Sequence, residues 1–174
     1  MRQTNWYVIT GAPCSGKTAV INELERRGYR VVHETARAYI DRRLNEGLQL
    51  EAIKADERQF EGCILEEKLR IESSLPPNET IFFDRGIPDS IAYFKLAGLD
   101  AAEPLSKSNL SRYRMIFFFE RLEFLKDRVR SENEKTADRL NSLIQESYRL
   151  LEYEIIPVPA FSIEQRVEFI LKLL

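Results

Sequence analysis

One octapeptide near the amino terminus has the residue types and spacing of a phosphate-binding loop. Residues 11–18 fit the pattern G-x-x-x-x-G-K-[ST] at every fixed position. The glycines allow successive backbone N–H groups to converge on phosphate oxygens, and the following helix adds the positive end of its dipole. The lysine supplies a point charge for the phosphates, and the threonine hydroxyl can bind Mg²⁺. The pattern predicts that ATP or GTP binds with Mg²⁺ at Gly11, Ala12, Pro13, Cys14, Ser15, Gly16, Lys17 and Thr18.

An acid and an arginine follow the apolar run 81–83. Phosphate-loop proteins place a carboxylate at the end of such a strand, so Asp84 is predicted to bind the metal together with Thr18. Arg85 stands where motor ATPases have glutamate, which favours a charge clamp on a transferred phosphoryl group over a water-activating base. The alternative for Asp84 is a structural cap of the helix that begins near Pro88.

A second acid and arginine follow the short apolar pair 31–32. Glu34 can accept the proton of a substrate hydroxyl, and Arg37, three residues later, can orient a phosphate. The alternative is a helix-start glutamate favoured by the dipole, with a solvated arginine beside it. The predicted catalytic residues are Lys17, Glu34, Asp84 and Arg85, and the predicted acceptor-binding residues are Glu34, Arg37 and Arg85.

Basic side chains are concentrated between residues 121 and 130. A lid that closes over nucleotide phosphates would supply such charge. We therefore expect a mobile lid over 120–135, with Arg128 and Arg130 as further nucleotide-binding residues. The competing interpretation is a solvated face of a charged helix.

Apolar and β-branched runs predict five short strands, over 6–10, 31–32, 80–84, 115–119 and 154–156. Helical spacing predicts helices over about 17–27, 36–46, 48–73, 86–96, 122–130, 134–151 and 163–174, while residues 99–113 stay ambiguous. This alternation predicts an α/β fold with one parallel sheet and helices on both faces. Ligands in such sheets bind beyond the carboxyl ends of the strands.

Size and composition predict one folded domain, 1–174. The 174 residues are 44% hydrophobic and 31% charged, with a net charge of −2, so no global basic field would hold nucleic acid or an anionic membrane. Cys14 and Cys63 are too few for a zinc or disulfide framework, and His33, the one histidine, is expected to pack at a strand end. No apolar run reaches 18 residues, so we predict no transmembrane segment and a cytoplasmic location.

Four segments, 11–18, 33–37, 82–94 and 159–171, together resemble a known family. They are similar to small P-loop proteins classed as AAA-domain predicted ATPases, a family similar to the ribosylnicotinamide kinase domain of the bacterial NAD-biosynthesis regulator. The resemblance spans nearly the whole chain. It implies a nucleoside-kinase-like fold with strand order 2-3-1-4-5, and nucleotide and Mg²⁺ binding at Gly16, Lys17 and Thr18, with Asp84 beside them.

Two functions remain open at this point. The first is a nucleoside-like small-molecule kinase that transfers the γ-phosphoryl group of ATP, with Mg²⁺, to an unknown acceptor; a slow ATPase would use the same site. The second is a regulatory nucleotide-binding ATPase or GTPase module that signals to a partner protein or lipid. A GTPase switch is disfavoured because the sequence lacks an [NT]-K-x-D element, and a motor ATPase because Arg85 replaces the usual glutamate.

Overall fold

Parallel strands and helices alternate along the chain. The structure, a computed structural model, describes residues 1–120 and 132–174. Its strands are β1 (Arg2–Gln3), β2 (Trp6–Thr10), β3 (Arg30–Val32), β4 (Ile81–Asp84), β5 (Ser111–Arg112), β6 (Met115–Phe119) and β7 (Ile155–Val158). Its helices are α1 (Lys17–Arg26), α2 (Thr35–Asn45), α3 (Leu50–Ile53), α4 (Glu57–Ser74), α5 (Ile87–Leu96), α6 (Ala102–Lys107), α7 (Glu132–Leu150) and α8 (Ile163–Leu171). None of the described helices is long and apolar enough to span a bilayer.

Five strands form the main sheet, in the order β3-β4-β2-β6-β7, and every neighbouring pair is parallel. Counted in chain order these strands give 2-3-1-4-5, so the predicted α/β architecture is confirmed. The register places Ile9 opposite Asp84 and Thr10 opposite Phe118. The loop after β2 and the acid that ends β4 therefore lie at the same edge of the sheet, beyond the carboxyl ends of the strands.

Both faces of the central strand β2 are buried under helices. Trp6 and Val8 belong to one apolar cluster, which includes residues of α5 and α7. Tyr7 and Ile9 belong to the opposite cluster, which includes residues of α1 and α8. This two-sided burial explains why residues 6–9 of the strand are a continuous apolar run and do not alternate with polar residues.

The predicted long helix over 48–73 is wrong, because the structure contains two helices there. α3 ends at Ile53, and Asp56 caps the start of α4 by accepting a hydrogen bond from the Gln59 amide (2.9 Å). Helical spacing of apolar residues continues across the break, so periodicity alone did not reveal it, although aspartate is a favoured N-cap. The ambiguous residues 99–113 contain α6 and β5, and β5 pairs with β1 in a separate two-stranded ladder.

A buried glutamate lies on α4, away from the carboxyl ends of the strands. Glu72 of α4 is 4% exposed, and its Oε1 accepts a hydrogen bond from the Tyr113 hydroxyl. Its Oε2 has no hydrogen-bond partner in the described part of the chain. Burial raises the pKa of Glu72 from 4.5 to about 7.

We expect Glu72→Gln to change how stability depends on pH. The folded protein keeps a proton that the unfolded chain releases near pH 4.5, so this residue lowers the free energy of unfolding as pH rises to about 7. The free energy of unfolding falls by about 3 kcal/mol at most over this pH range. Urea unfolding at pH 5 and pH 8 should show the variant gaining stability relative to wild type at the higher pH. Glu66→Gln, on the exposed side of the same helix, is the control; parallel profiles for wild type and Glu72→Gln would contradict the prediction.

Candidate active site

The loop after β2 is shaped by residues with left-handed backbone conformations. The φ angle is 133° at Gly11, 60° at Cys14 and 84° at Gly16. A Cβ atom at residue 11 would lie 2.3 Å from the carbonyl oxygen of Phe119, so only glycine fits there. Because α1 starts directly after Gly16, its first N–H groups have no helical partners and are available to an anion.

Lys17 reaches back across this loop from the first turn of α1. Its side chain is buried, and Nζ donates hydrogen bonds to the Ala12 carbonyl (2.8 Å) and the Ser15 hydroxyl (3.1 Å). Burial, followed by the positive charge of Arg85, lowers the pKa of Lys17 to about 8. A polyphosphate in the loop would favour the charged form of the ammonium group.

Asp84 presents an unsatisfied oxygen beside the start of α1. The side chain is 1% exposed, and its Oδ2 accepts a hydrogen bond from the Thr18 hydroxyl (3.2 Å). Its Oδ1 is buried with no hydrogen-bond partner among residues 1–120 and 132–174. Burial, followed by the negative charge of Glu34, raises the pKa of Asp84. A carboxylate and a hydroxyl oxygen are hard ligands of the kind Mg²⁺ prefers, so these residues fit that ion.

Arg85 has a left-handed backbone, with a φ of 71°. This conformation costs a residue other than glycine about 1–2 kcal/mol, and such strain is concentrated at functional sites. The buried guanidinium donates hydrogen bonds to Glu34 Oε1 (3.0 Å), the Gly11 carbonyl (2.9 Å) and Asp89 Oδ1 (3.3 Å). Arg85 therefore connects the end of β4 with the loop, with α2 and with α5.

Asp89 is fully buried in the first turn of α5 and accepts hydrogen bonds from three other residues. They are donated by the Thr10 hydroxyl, the Gly86 amide (2.9 Å) and the Tyr148 hydroxyl (2.6 Å). The contact with the Gly86 amide caps α5. The alternative interpretation of Asp84 as the cap of this helix is therefore wrong, because Asp89 has that role.

Three polar side chains lie in the connection between β3 and α2 or in the first turn of α2. Glu34 is the N-cap residue of α2, and its side chain is 28% exposed. Arg37 lies exposed in the first turn of the helix. His33 is also exposed, with Nε2 3.2 Å from the Glu25 carboxylate. The prediction that His33 packs at the strand end is wrong, because its side chain is 49% exposed there.

Two cavities meet at these side chains. The smaller, of about 290 Å³, is lined by residues 13–19 of the loop and α1. The larger, of about 520 Å³, lies among α2, α3, α4 and α5. The residues that line both cavities are Glu34, Arg37, Arg85 and Tyr93.

A family model described as an AAA domain matches residues 6–166, which is most of the chain. The protein belongs to this family. No curated protein matches it significantly by sequence.

Solved structures, two of them kinases, share the fold. Deoxyadenosine kinase from M. mycoides, with the products dCMP and dCDP bound, is 18% identical with a TM-score of 0.66, and the match covers 97% of each chain. NadR in complex with NR is 18% identical with a TM-score of 0.69, and the match covers 97% of this chain and 50% of NadR. Thymidylate kinase from Candida albicans is 15% identical with a TM-score of 0.65, and the match covers 98% of this chain and 90% of the kinase. The predicted resemblance to P-loop kinases is confirmed at the level of the fold.

The predicted nucleotide-binding residues differ in where they lie. Pro13 through Thr18 line the smaller cavity, whereas Gly11 and Ala12 lie at the base of the loop, where their carbonyls accept hydrogen bonds from Arg85 and Lys17. Arg128 and Arg130 lie outside the described residues, as does most of the predicted lid 120–135.

Two residues that sequence reasoning missed fix the loop from later helices. Arg166 of α8 is 3% exposed and donates hydrogen bonds to the carbonyls of Ser15 (2.8 Å) and Pro159 (3.1 Å). Asn141 of α7 accepts a hydrogen bond from the Ala12 amide through its side-chain oxygen (3.2 Å). Both are polar residues within amphipathic helices, a pattern that also fits a solvated face.

Proposed function

We propose that residues 1–174 act as one nucleotide-binding domain, a kinase that transfers the γ-phosphoryl group of ATP to a hydroxyl of a nucleoside-like small molecule. The observation that carries this proposal is the meeting of two cavities at Glu34 and Arg85. The smaller cavity holds the phosphate donor and the larger holds the acceptor. A second cavity open to the phosphate site favours transfer to an acceptor over nucleotide sensing alone.

The donor side consists of the loop amides, Lys17, Thr18 and Asp84. The amides and the Lys17 ammonium bind the phosphate oxygens. Mg²⁺ would be held by Thr18 and Asp84, and when bound it neutralises negative charge on the phosphates. Mg²⁺ commonly uses only one or two carboxylates together with substrate phosphates. This agrees with the finding that no cluster of three or more metal-binding side chains occurs in the part of the chain that the structure describes.

The acceptor side is built around Glu34. Arg85 Nε donates to Glu34 Oε1 at 3.0 Å, which orients the carboxylate at the junction. A carboxylate there can accept the proton of an attacking hydroxyl.

Residues of this chain can accept the proton that the reaction releases and stabilise the negative charge that develops. The acceptor oxygen forms a bond to the γ-phosphorus, the bond from that phosphorus to the bridging oxygen breaks, and ADP leaves. The hydroxyl proton passes to Glu34. Lys17 and Arg85 stabilise negative charge on the phosphoryl oxygens during transfer.

We expect Glu34→Gln to lower kcat by about 10²- to 10⁴-fold, the range for loss of a general base. The affinity for ATP should change little, because the amide still accepts a hydrogen bond from Arg85. The assay uses radiolabelled ATP, Mg²⁺ and a panel of nucleosides, with Glu46→Gln at the other end of α2 as the control.

Two results would count against the proposal. A wild-type protein that binds ATP but phosphorylates no nucleoside would favour the regulatory module. Equal rates for wild type and Glu34→Gln would remove Glu34 from the chemistry.

A further inference from the structure

The larger cavity contains a carboxyl group that the proposed transfer does not use. Glu61 of α4 is half-buried and lines both this cavity and a neighbouring one of about 410 Å³. Its side chain is only partly buried, and it makes no hydrogen bond or ion pair with residues 1–120 or 132–174. The other charged side chains of the cavity that are at least partly buried, Glu34, Lys68 and Arg85, all have hydrogen-bond partners.

The position of Glu61 along α4 gives its separation from Lys68, which lies near the transfer site. Lys68 of the same helix donates hydrogen bonds to the Gly86 carbonyl (2.8 Å) and to the Ser90 hydroxyl (3.1 Å), so it marks the end of the cavity beside Arg85. Glu61 precedes Lys68 by seven residues. At 1.5 Å per residue, that is about 10 Å along the helix axis. A molecule of nucleoside size would span this length.

The surroundings of Glu61 suit a flat, partly apolar group. Phe60 and Tyr93 line the same two cavities as Glu61. The Phe60 ring is held edge-on against Tyr39, with centroids 5.9 Å apart. Such rings pack against planar ligands. Burial raises the pKa of Glu61, because the half-buried carboxylate has lost part of its contact with solvent.

We propose that Glu61 determines acceptor specificity and that the acceptor is a planar molecule with an amino group at its edge, about 10 Å along the cavity from the phosphorylated hydroxyl. The inference rests on the proposed kinase function. An amino group donates a hydrogen bond to a carboxyl oxygen, and the Glu61 carboxylate has no such partner among the described residues. A carbonyl at the same position would face the carboxylate with a second acceptor and would be rejected.

The test compares acceptors that differ only by an amino or a carbonyl group at one ring position: cytidine against uridine, and adenosine against inosine. Wild type should favour the amino member by about 10- to 100-fold in kcat/KM, the range for a hydrogen bond to a charged group. Glu61→Gln should reduce that ratio to about threefold or less, because its amide presents both a donor and an acceptor. Glu66→Gln, exposed on the same helix, should leave the ratio unchanged.

The outcomes separate this inference from the function on which it rests. If wild type phosphorylates both members of each pair equally well, or if Glu61→Gln keeps the wild-type ratio, the role of Glu61 is overturned and the kinase stands. If wild type phosphorylates none of the four nucleosides, the kinase proposal falls for this class and the inference falls with it. The wild-type ratio is measured without any substitution, so it tests the inference even if Glu61→Gln fails to fold. Titration of Glu61→Gln with ATP checks that this variant is folded.

Discussion

The Lys17→Ala protein should fold normally and yet lose phosphoryl transfer, with kcat/KM for ATP lower by at least about 10³-fold. Removing one preorganised protein charge that faces a transferring group lowers kcat by about 10²- to 10³-fold by itself. Weaker binding of the phosphates lowers kcat/KM further. The free energy of unfolding of Lys17→Ala should stay close to that of wild type although its activity is lost. Burial and the neighbouring Arg85 already disfavour the charged ammonium, as its lowered pKa of about 8 indicates, so removing it also removes an unfavourable charge.

Isothermal titration with ATP and Mg²⁺ measures the binding part of this result, and urea unfolding measures the stability part. Lys172→Ala, at the exposed end of α8, is the matched control and should bind ATP as wild type does. ATP binding by Lys17→Ala with wild-type affinity would refute the donor site.

Arg85→Gln should lose both activity and stability, in contrast to Lys17→Ala. Its guanidinium is the donor to Glu34, to the Gly11 carbonyl and to Asp89, and the latter two acceptors lie in the interior. Removing one partner of a buried ion pair costs about 3–5 kcal/mol, because the remaining charge is left unpaired. Phosphoryl transfer should fall by at least about 10²-fold with the loss of this charge.

A double substitution makes this second prediction specific. Asp89→Asn combined with Arg85→Gln should recover part of the lost free energy of unfolding, because the buried carboxylate that loses its Arg85 partner is then replaced by a neutral amide. Arg30→Gln is the control: Arg30 also pairs with a glutamate, Glu79 at 2.8 Å, but at the surface, where such pairs contribute about 0–1 kcal/mol. A loss for Arg85→Gln no larger than the loss for Arg30→Gln would contradict the prediction.

The parts of the site that could be predicted are those encoded within a few consecutive residues. The phosphate-binding loop depends on backbone groups of residues 11–18, so its pattern is visible in the sequence alone. The strands that position it are buried on both faces and therefore read as apolar runs. Asp84 was placed correctly at a strand end for the same local reason.

The contacts that fix the site could not be predicted, because they join residues far apart in the chain. Asn141 and Arg166 reach the loop from α7 and α8, and nothing near them in the sequence marks that role. Asp89 lies one turn after Arg85 in a segment already singled out, so its spacing offered a signal. Glu61 resembled any charged residue of an amphipathic helix until the cavity beside it was known.

The close approach of Gly11 to the Phe119 carbonyl limits how this protein could be redesigned. The end of β6 occupies the space that a methyl group at residue 11 would need. A pocket enlarged to accept a bulkier phosphate donor must therefore be opened elsewhere in the loop. Cys14 is the natural starting point, because its side chain is exposed and its left-handed backbone tolerates glycine.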